Sequence, residues 1–79
     1  MEKKLKNIFS EVFNVEISVI NDKSSPDNIE SWDSLKHTHL IVALEESFNI
    51  SFVPDEMIEM LNFGLVKIIV EEKLRKQKY

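Results

Sequence analysis

Leu5, Ile8, Phe9, Val12 and Phe13 recur at three- and four-residue steps, while Lys3, Lys4, Lys6, Asn7 and Glu11 fill the positions between. One apolar face at that period predicts a helix over residues 2–14, with Asn14 as its stop. The pattern returns after Trp32. Asp33 and Ser34 each carry a short side-chain oxygen that accepts a bond from an unpaired backbone N–H, which is how helices start. Leu35, Leu40 or Ile41, Leu44 and Phe48 then mark an apolar face in a stretch without proline or glycine, predicting a second helix to about Phe48. Residues 49–54 read as a link, with Ile50 and Phe52 pointing inward. Pro54, Asp55 and Glu56 open a short third helix to about Met60, with proline in the first turn and acids at the positive end of the dipole. Its apolar contacts are Met57 and Leu61. Asn62 caps a last helix over about 63–76, with Phe63, Val66, Ile69 or Val70, and Leu74 as the buried stripe. Lys73, Arg75, Lys76 and Lys78 gather near its negative end, and the terminal residues are expected to fray.

Residues 15–33 do not follow a helical period. Val15, Ile17 and Val19 alternate with Glu16 and Ser18, which taken alone suggests a strand. No second alternating segment exists to pair with it, and lone strands are marginal. The stretch is therefore read as a long ordered loop, punctuated by Asn21-Asp22 and by Ser24-Ser25-Pro26-Asp27-Asn28, whose side chains favour turns. Ile17, Ile20, Ile29 and Trp32 are the candidate pegs that pin it to the helices.

The fold class that follows is all-α: a four-helix up-and-down bundle with three main helices, one short third helix and a long first loop. The 79 residues suffice for one domain, spanning 1–79 with its core at about 5–72. A domain of this size buries only about 60% of its unfolded surface, so the core is thin. With 43% hydrophobic and 30% charged residues the chain reads as globular rather than disordered. It has no cysteine, which excludes a disulfide framework and zinc–thiolate sites and fits a reducing compartment. No apolar run approaches the length of a membrane span, and the start leads into an amphipathic segment rather than a signal peptide, so the cytoplasm is the expected location.

The net charge of −4 is unevenly spread. Residues 7–66 hold eleven acids against Lys23 and Lys36, a net of −9, whereas the two ends are positive. An acidic middle argues against binding a phosphate backbone, which needs clustered Lys and Arg, and favours basic protein partners.

Most catalytic chemistry is excluded by residue type. Gly64 is the only glycine, so no glycine-rich phosphate loop, dinucleotide fingerprint or nucleophile elbow can form. His37 and His39, two apart on a predicted helix, point to opposite sides, which is wrong for shared metal ligation; both are read as facing solvent or a partner. His37 lies three residues after Ser34, but a hydrolase also needs an orienting group, an oxyanion hole and a pocket, which a small helical domain rarely offers. The chain is therefore expected not to be an enzyme.

Asp33-Ser34-Leu35, followed by Leu40, Ala43-Leu44-Glu45-Glu46 and Phe48, resembles the prosthetic-group site and second helix of the acyl carrier proteins. The resemblance covers roughly residues 5–72, including a similar Pro-Asp-Glu before the third helix. It implies that Ser34 bears a covalent 4′-phosphopantetheine arm taken from coenzyme A, and that the family's long first loop accounts for residues 15–33. It also implies a phosphopantetheinyl transferase, an acyl- or aminoacyl-activating ligase, and an acyltransferase or synthase as partners of a monomer, with no nucleic acid and no membrane involved. Asp33, Leu35, Lys36, His39, Glu45, Glu46, Asp55 and Glu56 are the expected partner-recognition residues. Met57, Ile58 and Met60 offer a soft surface for an acyl chain or a partner, or pack as ordinary helix contacts.

Two features depart from the carriers of fatty acid synthesis. Their second helix is strongly acidic, whereas here it begins Lys36-His37-Thr38-His39 and turns acidic only at Glu45 and Glu46. Ser31 stands where relatives often have glycine, and Trp32 replaces a smaller residue. The Trp-Asp-Ser-Leu form resembles stand-alone carriers of specialised pathways, which move acyl or aminoacyl groups onto polysaccharides or small metabolites. The alternative is an unmodified helical protein–protein interaction domain with a carrier-like fold.

Overall fold

In the computed structural model, which describes residues 1–76, four helices follow one another: α1 (Glu2–Phe13), α2 (Ser34–Phe48), α3 (Pro54–Ile58) and α4 (Phe63–Lys76). The helical bundle expected from the apolar period is present, with a short third helix and a long first loop. Lys4 of α1 donates to the Ser47 carbonyl at 2.8 Å and lies over the Phe48 ring, while Phe9 and Phe13 meet Trp32 just before α2. α1 and α2 are therefore antiparallel. Phe9 against Phe63, and Glu2 against Lys67, set α4 antiparallel to α1 in the same way. No helix among the described residues is long and apolar enough to cross a membrane.

Helix ends follow from single residues. Asn14 and Asn49 both adopt the left-handed conformation, at φ 56° and 55°, and stop α1 and α2. Asparagine tolerates this geometry better than most non-glycine residues. Asn14 matches the expected stop; Asn49 shows that the link after α2 begins with a helix terminator of the same kind. Asn62 caps α4 as expected, its Oδ1 accepting from the Leu65 N–H at 2.8 Å. Lys78 lies outside the described residues, as does the terminal fraying.

The core is sealed by Leu5, Phe9, Phe13, Leu40, Leu44, Met60, Phe63, Val66 and Val70. Both members of each ambiguous pair, Leu40 with Ile41 and Ile69 with Val70, are buried.

The long loop is held by its own side chains. Asn21 Oδ1 accepts from the Lys23 N–H, Asn28 Oδ1 from Ser25, and Ser24 Oγ from Asn21, each at 2.9 Å. These are the local turns that Asn and Ser form with nearby backbone. Ser31 donates to the Phe13 carbonyl at 2.7 Å, tying the loop to the end of α1, which gives the serine at this position a structural role. Ile20, Ile29 and Trp32 are buried pegs as expected, but Ile17 is not. Residues Ile17–Val19 form a 3-10 turn, and Ile17 stays 45% exposed. A 3-10 turn repeats every three residues, and this one turns Ile20 at its end into the core and leaves Ile17 at its start outside.

The loop also closes the start of α4. A helix begins with four backbone N–H groups that lack partners within it. Here Phe63 N–H donates to the Ser24 carbonyl at 2.8 Å and Gly64 N–H to the Asp22 carbonyl at 3.0 Å. A Cβ on Gly64 would meet the Asp22 carbonyl at 3.1 Å, tighter than ordinary contact and against backbone rather than a flexible tip. The only glycine of the chain thus lies where the loop backbone passes close to the start of a helix. Gly64→Ala is expected to lower stability by about 1 kcal/mol, despite the better helix propensity of alanine. A urea midpoint equal to or above that of the parent would show that the loop yields freely.

α3 differs from the expectation at its end. It closes at Ile58, with Glu59 as its C-cap, and the chain then turns so that Met60 (2% exposed) enters the core. Leu61, read as a core contact, is 62% exposed. Five helical residues are too few for a period to choose between neighbours in Met57-Ile58-Glu59-Met60-Leu61. No residue of α3 is itself fully buried.

Its N-terminal end is fixed by Glu56, whose Oε1 accepts from the Val53 N–H and from Lys73 of α4, both at 2.9 Å. Burial raises the Glu56 pKa, but the bonds from Lys73 and Val53 and the charges of Lys73 and Lys76 outweigh it and leave the carboxyl below its ordinary value. A lowered folded-state pKa stabilises above the unfolded carboxylate range, and the contribution is lost as pH falls through the folded value. Glu56→Gln is therefore expected to cost stability at neutral pH and progressively less on acidification. A wild-type-minus-variant difference that stays constant with pH, measured by urea unfolding, would count against this tie.

Candidate functional site

Ser34 is the first residue of α2, and Asp33 is its cap. Asp33 Oδ1 accepts from the Lys36 N–H at 2.9 Å, which satisfies one of the four free donors at the helix start. The Asp33 N–H is itself bonded to the Ser31 carbonyl at 3.0 Å. Among the described residues no acceptor faces the N–H of Ser34 or of Leu35. The contrast with α4 is direct: there the loop supplies carbonyls to the first N–H groups, whereas at α2 they stay open beside an exposed hydroxyl. Ser34 Oγ makes no hydrogen bond to the described residues; only its carbonyl is used, by Thr38 Oγ1 at 3.1 Å.

Beside Ser34 lies an open groove of about 600 Å³ between the start of α2 and α3. Trp32, His37 and Ile41 line one side, and Met57, Ile58, Met60 and Leu61 the other. Trp32 is 4% exposed and anchors this end of the molecule to the core, stacked on Phe13 at 4.9 Å and edge-on to Phe9 at 5.5 Å.

His37, read from the sequence as facing solvent or a partner, is not turned to solvent. It is half-buried, with its ring stacked 6.1 Å from Trp32. Trp32 Nε1–H donates to His37 Nδ1 at 2.9 Å, and His37 Nε2 lies 3.1 Å from the Met57 carbonyl. An indole N–H only donates and a carbonyl only accepts, so both contacts are met by the tautomer with its hydrogen on Nε2. With both ring nitrogens engaged, His37 has no free lone pair to offer the Ser34 hydroxyl. The signal for this contact was a buried tryptophan, whose N–H needs an acceptor.

The candidate recognition residues fall into two sets. Asp33, Leu35 and Lys36 surround Ser34, with Leu35 65% exposed. His39 is exposed and, with Lys36, faces a second groove between α1 and α2 that includes Glu11 and Ser47. Glu45 and Glu46 lie about 17 to 18 Å along the helix axis from Ser34. Glu46 and Asp55 are exposed, but Glu45 Oε2 is taken up by the Phe52 N–H at 2.9 Å and Glu56 by Lys73 and Val53. Among the described residues no cluster of three or more His, Cys, Asp or Glu is placed to hold a metal ion.

No family-level sequence profile matches the chain. An acyl carrier protein of Buchnera aphidicola subsp. Schizaphis graminum (strain Sg) is 41% identical over 63 residues, covering 78% of this chain and 77% of that protein. The solution NMR structure of holo acyl carrier protein from Geobacter metallireducens superimposes with a TM-score of 0.86 at 35% identity, covering 95% of this chain and 86% of the other. An exposed serine opening the second helix, the helical order and these two relatives agree: the chain belongs to the acyl carrier protein family.

Proposed function

We propose that this carrier bears a 4′-phosphopantetheine arm on Ser34 and moves thioester-bound acyl or aminoacyl groups between partner enzymes in a specialised pathway. The observation that carries the reading is the unbonded, exposed Ser34 hydroxyl at a helix start whose first two N–H groups are unbonded. The residues present fit the group. The N–H groups of Ser34 and Leu35 and the positive end of the α2 dipole favour a phosphodiester anion at this point. Asp33 orders the same turn, while its charge opposes that anion somewhat. The arm, when bound, supplies the thiol that this cysteine-free chain lacks. The relative from Geobacter metallireducens is itself described as a holo carrier.

The chain needs no catalytic group of its own on this reading. A phosphopantetheinyl transferase would approach Ser34 across Leu35, and an activating ligase and an acyltransferase or synthase would meet the same end of α2. Lys36 and His39, in place of acids in the first turns, favour partners other than those of bulk fatty acid synthesis. The working form is a cytoplasmic monomer.

Incubation with coenzyme A, magnesium and a broad-specificity transferase is expected to add the mass of one phosphopantetheine to the intact protein. No gain with several transferases would favour the unmodified helical interaction domain.

A further inference from the structure

We propose that His37 is a positioning residue that holds α3 across the groove beside Ser34 and thereby limits how deeply a carried group can enter. The inference rests on the carrier reading and adds a determinant of which cargo the protein accommodates.

Three observations carry it. First, α3 is held weakly by packing. It has five residues and none fully buried, and an isolated helix of that length does not persist in water. Second, polar contacts at two neighbouring residues tie it to different helices: Glu56 to Lys73 of α4, and the Met57 carbonyl to His37 of α2. The Met57 carbonyl lies in the last turn, where intrahelical donors run out. The contact from His37 Nε2, at 3.1 Å, is shorter than that from the Met60 N–H, at 3.4 Å. Third, the same imidazole accepts from Trp32, so one ring joins the loop before Ser34, the first turn of α2 and the end of α3. The groove floor beneath this bridge is closed by Trp32, Ile41 and Met60, all nearly inaccessible, while Ile58 and Leu61 stand exposed at its rim.

With the bridge intact, a carried chain lies along the rim and its outer part stays in solvent. With the bridge cut, the Glu56–Lys73 pair is the remaining polar tie of α3 to another helix, its C-terminal turn moves away from α2, and the space over Met60 and Ile41 opens.

The test compares wild type, His37→Ala and His37→Gln, since the glutamine amide can both accept from Trp32 and donate to Met57. In the unmodified proteins, amide exchange of Met57–Met60 is expected to quicken about tenfold in His37→Ala, the effect of one hydrogen bond, and to return toward wild type in His37→Gln. Amides of α1 and of the middle of α4 should keep their wild-type rates. The holo proteins are then loaded with saturated acyl groups from acetyl to hexadecanoyl, and the rise in melting temperature is followed against chain length. The rise should level off at short chains in wild type and His37→Gln, and continue with length in His37→Ala. A purely structural histidine would lower all melting temperatures equally and leave the length dependence unchanged, which would overturn the proposal. So would unchanged α3 exchange in His37→Ala. Intact mass before loading separates the two readings: were no arm installed, the carrier function would fall, and the exchange rates would decide for or against the bridge.

Discussion

Ser34→Ala is expected to abolish the gain of phosphopantetheine mass completely while leaving helicity and stability almost unchanged. The separation of the two effects follows from how the side chain is placed. Ser34 Oγ bonds nothing among the described residues, and the one contact at this residue, from Thr38, goes to its carbonyl, which alanine keeps. Asp33 remains as the cap. Alanine is a somewhat better helix former than serine, so the change in unfolding free energy should stay within about 0.5 kcal/mol. Intact mass and far-ultraviolet circular dichroism on the same sample read both effects. Retained mass gain would move the attachment point elsewhere, with the exposed Thr38 hydroxyl on the same groove as the first alternative. Lost helicity would show that the serine is mainly structural.

Much of this site is local, and that is why it was legible. A cap, a first-turn serine and an apolar stripe on one helix are all set by residues within a few positions of each other, and α2 begins and ends where that pattern places it. The helical faces of α1 and α4 were readable for the same reason. Where the reading failed, the deciding contact came from far along the chain. His37 looked like one polar residue among others in Lys36-His37-Thr38-His39, and only its neighbours Trp32 and Met57, the second twenty residues away, turn it inward. Gly64 had only excluded glycine-rich motifs; its structural role depends on Asp22 passing 3.1 Å from where a Cβ would sit.

Two further misses have a different origin: the local pattern was too short. Ile17 sits in a three-residue turn and Leu61 follows a five-residue helix, and neither stretch completes enough of a period to define a face. After α3 the chain buries the neighbouring Met60 in place of Leu61, and beyond Ile17 it buries Ile20, a peg already expected.

The largest loss of stability is expected from Phe9→Ala. Phe9 is fully buried and touches Phe13, Trp32 and Phe63 with ring centroids 4.9 to 5.5 Å apart, two of the three pairs edge-on. It therefore joins α1 to the start of α4 and to the loop residue that shapes the groove. Removing a buried phenylalanine ring costs about 3–5 kcal/mol through lost transfer energy and the cavity left behind. The aromatic pairs themselves add about 0.5–1.5 kcal/mol each to ordinary burial, which places Phe9 toward the upper part of that range. A domain of this length is stable by only about 4–12 kcal/mol in total. The variant should thus be partly unfolded at physiological temperature, with a much lower urea midpoint. Val42→Ala, at an exposed position of α2, should change stability by less than about 0.5 kcal/mol and serves as the control. Because Ser34 lies outside the cluster, the folded fraction of Phe9→Ala should still accept the arm, with its yield following the folded population across urea. A loss below about 1 kcal/mol would mean that neighbouring side chains refill the space. In that case the aromatic cluster would not be what holds Trp32, and with it the groove, in place.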